Sequence, residues 1–181
     1  MADWPQVVER VCEGTRETDP AAIVNLIMKH PMAVIHSPQH HSMVAPAVLA
    51  ALSNLGLRPL KPGRIASAIE RTRGIPLGSC GTRGECGAAS SVGALVSILT
   101  SATFMKDHER SLALESTAET LLAIAKAGGP RCCKQSVYIA LETASAFLKR
   151  ELAIDLPVDP DCEFAARNPD CKLERCQYYA V

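Results

Sequence analysis

The chain has few aromatic residues, no excess of charge of either sign and no long hydrophobic run. Its 181 residues include one Trp, three Tyr and three Phe, and the formal net charge at pH 7 is zero. Proteins that bind nucleic acids or membrane surfaces normally carry a basic excess, so the charge balance argues against both classes. The longest apolar stretch, residues 92–105, is shorter than the roughly 20 residues that a membrane helix needs. We therefore expect no membrane span.

The N-terminus carries no recognisable export signal. Residues 1–9 lack the basic start, the apolar run and the small-residue cleavage site of a secretory signal, so we expect the chain in the cytoplasm. A chain of this length can bury a core without cross-links. In a reducing compartment, clustered cysteines are more often metal ligands or redox groups than structural disulfides.

Alanine and leucine recur throughout the chain, whereas alternating β-branched residues are scarce, so the pattern predicts an all-α protein. We expect a single helical-bundle-like domain of about six or seven helices over residues 1–152, followed by an irregular cysteine-containing tail, residues 153–181, that folds back on the site. The predicted helices cover residues 5–12, 20–30, 42–55, 62–74, 87–103, 109–127 and 130–150. The helix after Gly87 is rich in small residues and is the predicted central helix, packed within the monomer or against a second copy in a homodimer. Residues 74–87 contain five glycines and are predicted to form an irregular loop.

Seven of the eight cysteines fall into three clusters, and two of these clusters lie in glycine-rich loops ahead of predicted helices. The clusters are Cys80 with Cys86, the adjacent pair Cys132 and Cys133, and Cys162 with Cys171 and Cys176. Backbone N–H groups and the helix dipole favour thiolate over thiol at a helix start. Apolar packing does not call for glycines around a thiol, so we expect these seven cysteines to be metal ligands. The isolated Cys12 is instead predicted to be a small core residue.

The spacings favour an iron–sulfur cluster, of the 4Fe–4S type or larger, and leave zinc as the alternative. Structural zinc sites usually draw on tight cysteine pairs, and only Cys171 and Cys176 have such a spacing. Iron–sulfur ligands are spread over loops in which backbone N–H groups approach the sulfides. We expect Gly81, Gly87 and Gly129 to allow that approach. Seven thiolates exceed the four that one cubane needs, so two clusters, a larger cluster, or a cluster with a redox thiol all stay open.

The adjacent pair Cys132 and Cys133 adds a constraint. Neighbouring side chains on a helix point about 100° apart, so we do not expect both thiolates on one metal atom. They serve two metal atoms or clusters, or one is a ligand and the other packs or reacts. A vicinal disulfide, which would make this a thiol–disulfide redox protein, is a further alternative. Arg131 and Lys134 flank the pair and would support negative charge there.

Three histidines, His36, His40 and His41, lie within six residues in a loop that contains proline. Without other signals they are explained equally well as helix caps or solvent-facing side chains. Close to a metal bound by thiolates, a histidine can act as a ligand, donate a proton to a substrate or hydrogen-bond a sulfide. We expect His36 and His40 to face the site and His41 to start the following helix.

Four segments together resemble an uncharacterised cysteine-rich domain family of anaerobic bacteria and archaea, found alone or attached to methyltransferase-like domains. The segments are His36-Ser37-Pro38-Gln39-His40-His41, Cys80-Gly81-x4-Cys86-Gly87-Ala88-Ala89, Gly128-Gly129-Pro130-Arg131-Cys132-Cys133-Lys134, and the closing Cys162, Asn168, Cys171 and Cys176. The resemblance spans nearly the whole chain. It implies an anaerobic setting and a neighbourhood of one-carbon or sulfur metabolism, with a redox partner or a methyltransferase as the expected protein partner.

The leading hypothesis from the sequence is therefore an iron–sulfur protein with a site shared between the cysteine clusters. If it is an enzyme, an open iron would bind a small sulfur-containing or anionic substrate, with His36 or His40 handling protons and Arg131 holding negative charge. The alternatives are a zinc-binding structural or interaction module and a thiol–disulfide protein that uses Cys132 and Cys133.

Overall fold

The computed structural model describes residues 3–179 and shows an all-α fold, as predicted. The α-helices in this range are α1 (Trp4–Gly14), α2 (Pro20–Lys29), α3 (Val44–Asn54), α4 (Arg64–Arg73), α5 (Ser79–Thr82), α6 (Gly87–Thr100), α7 (Asp107–Ala127) and α8 (Cys133–Leu152). Turns of 3₁₀ helix occupy Pro38–Ser42, Ala165–Arg167 and Leu173–Arg175. The expected six or seven helices become eight in the described residues because the glycine-rich loop, predicted to be irregular, contains the single turn α5.

Capping residues fix the starts of the first two helices. The Asp3 carboxylate accepts the Gln6 backbone N–H at 3.1 Å, and the Gln6 side chain accepts the Asp3 N–H in return, which forms a capping box. The Asp19 carboxylate accepts the Ala21 N–H at 2.8 Å, and Pro20 occupies the first helical position, where no N–H is needed. These local signals explain why the sequence predicts both helix starts well.

Helix α6 lies at the centre of the fold and packs against α3, α4, α7 and α8. Its closest approach is to α7. A Cβ atom added at Gly93 would lie 2.1 Å from Thr117 Oγ1 and 2.9 Å from the Ala113 carbonyl oxygen, so only glycine fits there. The helix ends at Thr100, because Ser101 adopts a left-handed conformation with φ 56°. It is therefore shorter than the predicted 87–103.

Helix α8 begins at Cys133, three residues later than predicted. Cys132 is its N-cap and has an extended backbone, with φ −130° and ψ 106°. The expectation that both cysteines occupy helical positions about 100° apart is therefore wrong. The two thiols leave the backbone from different conformations, and this difference decides which neighbours each one meets.

After α8 the chain folds back along the helices with little regular structure. Ala153 ends α8 in a left-handed conformation with φ 53°, and the tail then buries four apolar side chains in the core. These are Ile154, Leu156, Phe164 and Tyr178. The Asn25 side chain also donates to the Asp161 carbonyl at 2.9 Å. Among residues 3–179, no helix has the length and apolar character needed to cross a membrane.

Candidate metal and ligand site

A cavity of about 330 Å³ lies where the first turns of α6 and α8 meet the glycine-rich loops. Its volume is within the range of small-ligand sites. The residues of the predicted site that line it are Cys80, Gly81, Cys86, Gly129, Arg131, Cys132, Cys133 and His40, together with His41. Segments about fifty residues apart in sequence therefore contribute thiols to one cavity. Cys80 and Arg131 are exposed at its edge, whereas Cys86 and Cys133 are buried.

The two long helices that start at this cavity both have a cysteine as N-cap. Cys86 precedes α6 and Cys132 precedes α8, and neither helix start receives a capping hydrogen bond from the N-cap side chain. The first N–H groups of a helix have no partner within the helix and carry partial positive charge. Two such helix ends beside one cavity favour an anionic occupant.

The remaining cysteines surround a second and much smaller cavity of about 20 Å³. Its thiols come from Cys132, Cys162, Cys171 and Cys176. Cys132 borders both cavities, because its extended backbone lies between the glycine-rich loop and the tail. The seven predicted ligands therefore form two groups rather than one, and the tail cysteines do not line the larger cavity.

A backbone amide of the tail points at one of these sulfur atoms. The Leu173 N–H donates to Cys171 Sγ at 3.4 Å, and Leu173 has a left-handed conformation with φ 51°. The backbone of Phe164 is also close enough to the Cys162 thiol to lower its pKa. A hydrogen bond to sulfur stabilises the thiolate form.

Burial raises the pKa of Cys162 and of Cys133 above the usual thiol value. Around Cys162 the Phe164 amide opposes this rise, whereas the Cys132, Cys176 and Cys171 thiols add to it. Clustered thiols in a partly buried place resist losing several protons unless a positive charge is supplied. The arrangement therefore suits thiolates that are held by a cation.

Two buried lysines lie among the cysteines. Lys134 Nζ donates to the Ile35 carbonyl at 2.6 Å and lies 5.6 Å from the centre of the Phe164 ring. Burial lowers the pKa of Lys134, and the nearby Cys132, Cys133 and Cys162 thiols oppose that shift. In the second case, Lys172 Nζ donates to Gln135 Oε1 at 2.7 Å and to the Gly128 carbonyl. Lys172 thus ties the tail to the loop at Gly128 and Gly129 that precedes α8.

The three histidines have different environments. His36 does not line the larger cavity; its Nε2 hydrogen-bonds Asn168 Oδ1 at 3.0 Å, and Asn168 Nδ2 approaches Cys132 Sγ at 3.7 Å. His36 therefore supports the tail rather than facing the predicted substrate. Because Asn168 Oδ1 can only accept, the shared proton resides on His36 Nε2.

His40 is 2 % exposed and lines the larger cavity. Its Nδ1 hydrogen-bonds the Ser37 carbonyl at 3.2 Å, which places the proton on Nδ1 and leaves Nε2 as an acceptor. Within the described residues His40 Nε2 has no hydrogen-bond partner. Burial, reinforced by the charge of Lys134, lowers the pKa of His40 to about 3. The ring is thus neutral at pH 7, and its free nitrogen accepts hydrogen bonds.

His41 differs from its prediction as a helix start. It lies within the 3₁₀ turn Pro38–Ser42, and α3 begins at Val44. The ring packs against Gly87, where an added Cβ would lie 2.1 Å from His41 Cγ. We expected Gly87 beside the bound group, but it does not line the cavity. Its small size instead allows the close contact with His41. The sequence did not lead us to expect His41 in the lining of the cavity, although its place in the histidine motif was a signal.

The chemistry of the donors fits metal binding, although the side chains are not arranged as a closed site. Among residues 3–179, no three His, Cys, Asp or Glu side chains are placed so that they could hold a metal ion. All eight cysteines are free thiols, so Cys132 and Cys133 do not form a vicinal disulfide here. Soft thiolates select zinc, copper(I) and iron–sulfur clusters.

The fold and the site define an all-α protein with thiols arranged around two neighbouring cavities. A family of unknown function (DUF5714) matches residues 8–179, and the chain belongs to that family. No curated protein and no solved structure matches the chain.

Proposed function

We propose that the protein binds an iron–sulfur cluster in the larger cavity, with Cys80, Cys86 and Cys133 as thiolate ligands. The observation that carries this proposal is the meeting of the first turns of α6 and α8 at one cavity that these three thiols line. Unpaired backbone N–H groups near the cavity can hydrogen-bond the sulfides and stabilise an anionic cluster. The cavity volume of about 330 Å³ leaves space for a ligand as well.

A cluster held there would supply electron transfer and, at an iron without a thiolate ligand, a Lewis-acid position. Arg131 is exposed at the edge of the cavity and is suited to holding an anionic substrate. His40 offers an unprotonated Nε2, so it would orient a substrate by accepting a hydrogen bond. A small sulfur-containing or anionic molecule is the substrate class that fits these groups.

A role in the redox, sulfur or one-carbon metabolism of anaerobes agrees with this chemistry, because an exposed cluster survives where oxygen is absent. A redox protein or a methyltransferase is the proposed partner. Exposure of Cys80 at the edge of the cavity supports an oxygen-sensitive site, since solvent reaches that thiol.

Anaerobic purification followed by iron, zinc and acid-labile sulfide analysis tests the proposal. A brown protein with iron and sulfide in similar amounts is the expected result. A colourless protein with zinc alone would instead support the structural zinc module. Absence of metal, with two thiols lost on mild oxidation, would support a thiol–disulfide protein.

A further inference from the structure

Four cysteines surround the small cavity between the N-terminus of α8 and the tail, and they are separate from the cluster ligands proposed above. We infer that Cys132, Cys162, Cys171 and Cys176 bind one zinc ion in a tetrahedral four-thiolate site that fixes the tail to the helical domain. Of these four thiols, only Cys132 also borders the larger cavity. The inference depends on the geometry of the tail and stands whether or not the larger cavity holds iron.

The size of the cavity points to a single ion. Its volume is about 20 Å³, close to the roughly 10–15 Å³ that one water molecule needs. A multi-atom cluster does not fit without rearrangement of the tail, whereas one ion does. Four thiolate ligands favour tetrahedral zinc. Because the thiols are not yet in coordinating positions, binding turns them toward the cavity and releases their remaining protons.

The tail backbone is shaped around sulfur at one of the four positions, Cys171. The Leu173 N–H donates to Cys171 Sγ at 3.4 Å, two residues back along the chain. Leu173 accepts a left-handed conformation to do so, with φ 51°, although it is not glycine. Such a conformation is costly for a bulky residue, and an N–H bond to a metal-bound thiolate is a reason for retaining it.

Further contacts bring the other three thiols to the same place. The Cys162 N–H donates to the Tyr178 carbonyl at 3.0 Å, and Cys162 forms an isolated parallel bridge with Tyr179. This pairing carries Cys176 alongside Cys162. On the opposite side, Asn168 Nδ2 approaches Cys132 Sγ at 3.7 Å. Thiols from both ends of the tail therefore lie near Cys132, the residue immediately before α8.

The surrounding charge agrees with this site. Four thiolates and one Zn²⁺ carry a net charge of about −2, which is costly to bury unless positive groups lie nearby. The buried ammonium of Lys134 lies close enough to Cys132 and Cys162 for their charges to interact. The regular structure of the tail consists of two short 3₁₀ turns, so few backbone hydrogen bonds within the tail fix these thiols.

Titration of the metal-free, reduced full-length chain with Co²⁺ and Zn²⁺ tests the inference. Co²⁺ in a tetrahedral thiolate site absorbs visible light, and zinc displaces it. We expect one tight equivalent in the wild-type chain and in Cys80→Ser, the matched control from the larger cavity. Cys171→Ser and Cys176→Ser should lose this equivalent, and Asn168→Ala should weaken it about 10–100-fold as a neighbour of the ligands.

Cysteine alkylation tests the same site without a substitution, which guards against variants that fail to fold. We expect stoichiometric zinc to protect the Cys162, Cys171 and Cys176 thiols, while exposed Cys80 stays reactive. Protection of Cys80 and Cys86 in their place, or a tail that zinc does not protect, would overturn the inference.

Metal analysis of the anaerobic protein separates this inference from the proposed function. Loss of zinc with retained iron in Cys171→Ser is the expected result. Loss of iron in that variant would mean that the tail thiols hold the cluster, which overturns the separate zinc site. A wild-type protein that contains zinc but no iron would reject the cluster and leave the tail site standing.

Discussion

Replacement of Gly87 by alanine should destabilise the protein, although alanine is normally the better helix former. Gly87 is the first residue of α6, and an added Cβ would lie 2.1 Å from His41 Cγ and 2.5 Å from both Cβ and Cδ2 of His41. Real Cβ atoms essentially never approach other atoms within 3.0 Å. His41 cannot relieve this contact by moving the tip of its ring alone, because its own Cβ is involved.

Overpacking of this kind costs about 1–3 kcal/mol. The higher helix propensity of alanine offsets at most about 1 kcal/mol of this cost inside a helix, and less at the first helical position. We therefore expect Gly87→Ala to lower the free energy of unfolding by about 2 kcal/mol and the melting temperature by about 4–8 °C. Urea denaturation of the metal-free, reduced chain measures the difference.

A set of His41 substitutions identifies the cause. His41→Ala keeps the Cβ atom at 2.5 Å and should not rescue Gly87→Ala, whereas His41→Gly removes all three close contacts and should. A double-mutant cycle isolates this coupling from the separate cost of changing His41. Gly81→Ala is the control, since nothing lies within 4 Å of its added Cβ. Wild-type stability in Gly87→Ala, or a loss that persists with His41→Gly, would refute the reasoning.

Three further predictions concern the buried groups of the site. The pKa of His40 is lowered to about 3 in the folded protein, whereas an unfolded histidine titrates near 6.5. Between these values only the unfolded chain binds the proton, so the free energy of unfolding falls as the pH drops below about 6.5. The expected loss is about 2 kcal/mol at pH 5. His40→Gln should flatten this dependence in urea titrations, and an unchanged slope would show that other groups cause it. Lys172→Met removes the hydrogen bonds to Gln135 and Gly128 and should lower the free energy of unfolding by about 2 kcal/mol. Amide hydrogens of the tail should also exchange faster in this variant. Exchange rates equal to those of the wild type would contradict this role of Lys172. Cys86→Ala should abolish or greatly reduce iron content whereas Cys12→Ala, a change in the core, should not, and equal iron in both variants would reject the ligand assignment.

The helical class and most helix positions followed from the sequence because their causes are local. Asp3 and Asp19 cap helices through bonds that span two or three residues. The start of α8 was misplaced because Pro130 is suitable for a first helical turn, yet Cys132 has an extended backbone and the helix begins at Cys133. A proline permits a helix start without requiring one.

The sequence by itself determined that this is an all-α protein and that its cysteines, apart from Cys12, fall in three clusters, two of which lie beside glycines. Only the tertiary structure decided how those cysteines are divided. Cys80 and Cys86 share a cavity with Cys133, while Cys162 and its neighbours in the tail meet Cys132. The physical reason is that these groupings depend on packing between segments far apart in the chain, and on a single extended residue that turns two adjacent thiols toward different neighbours.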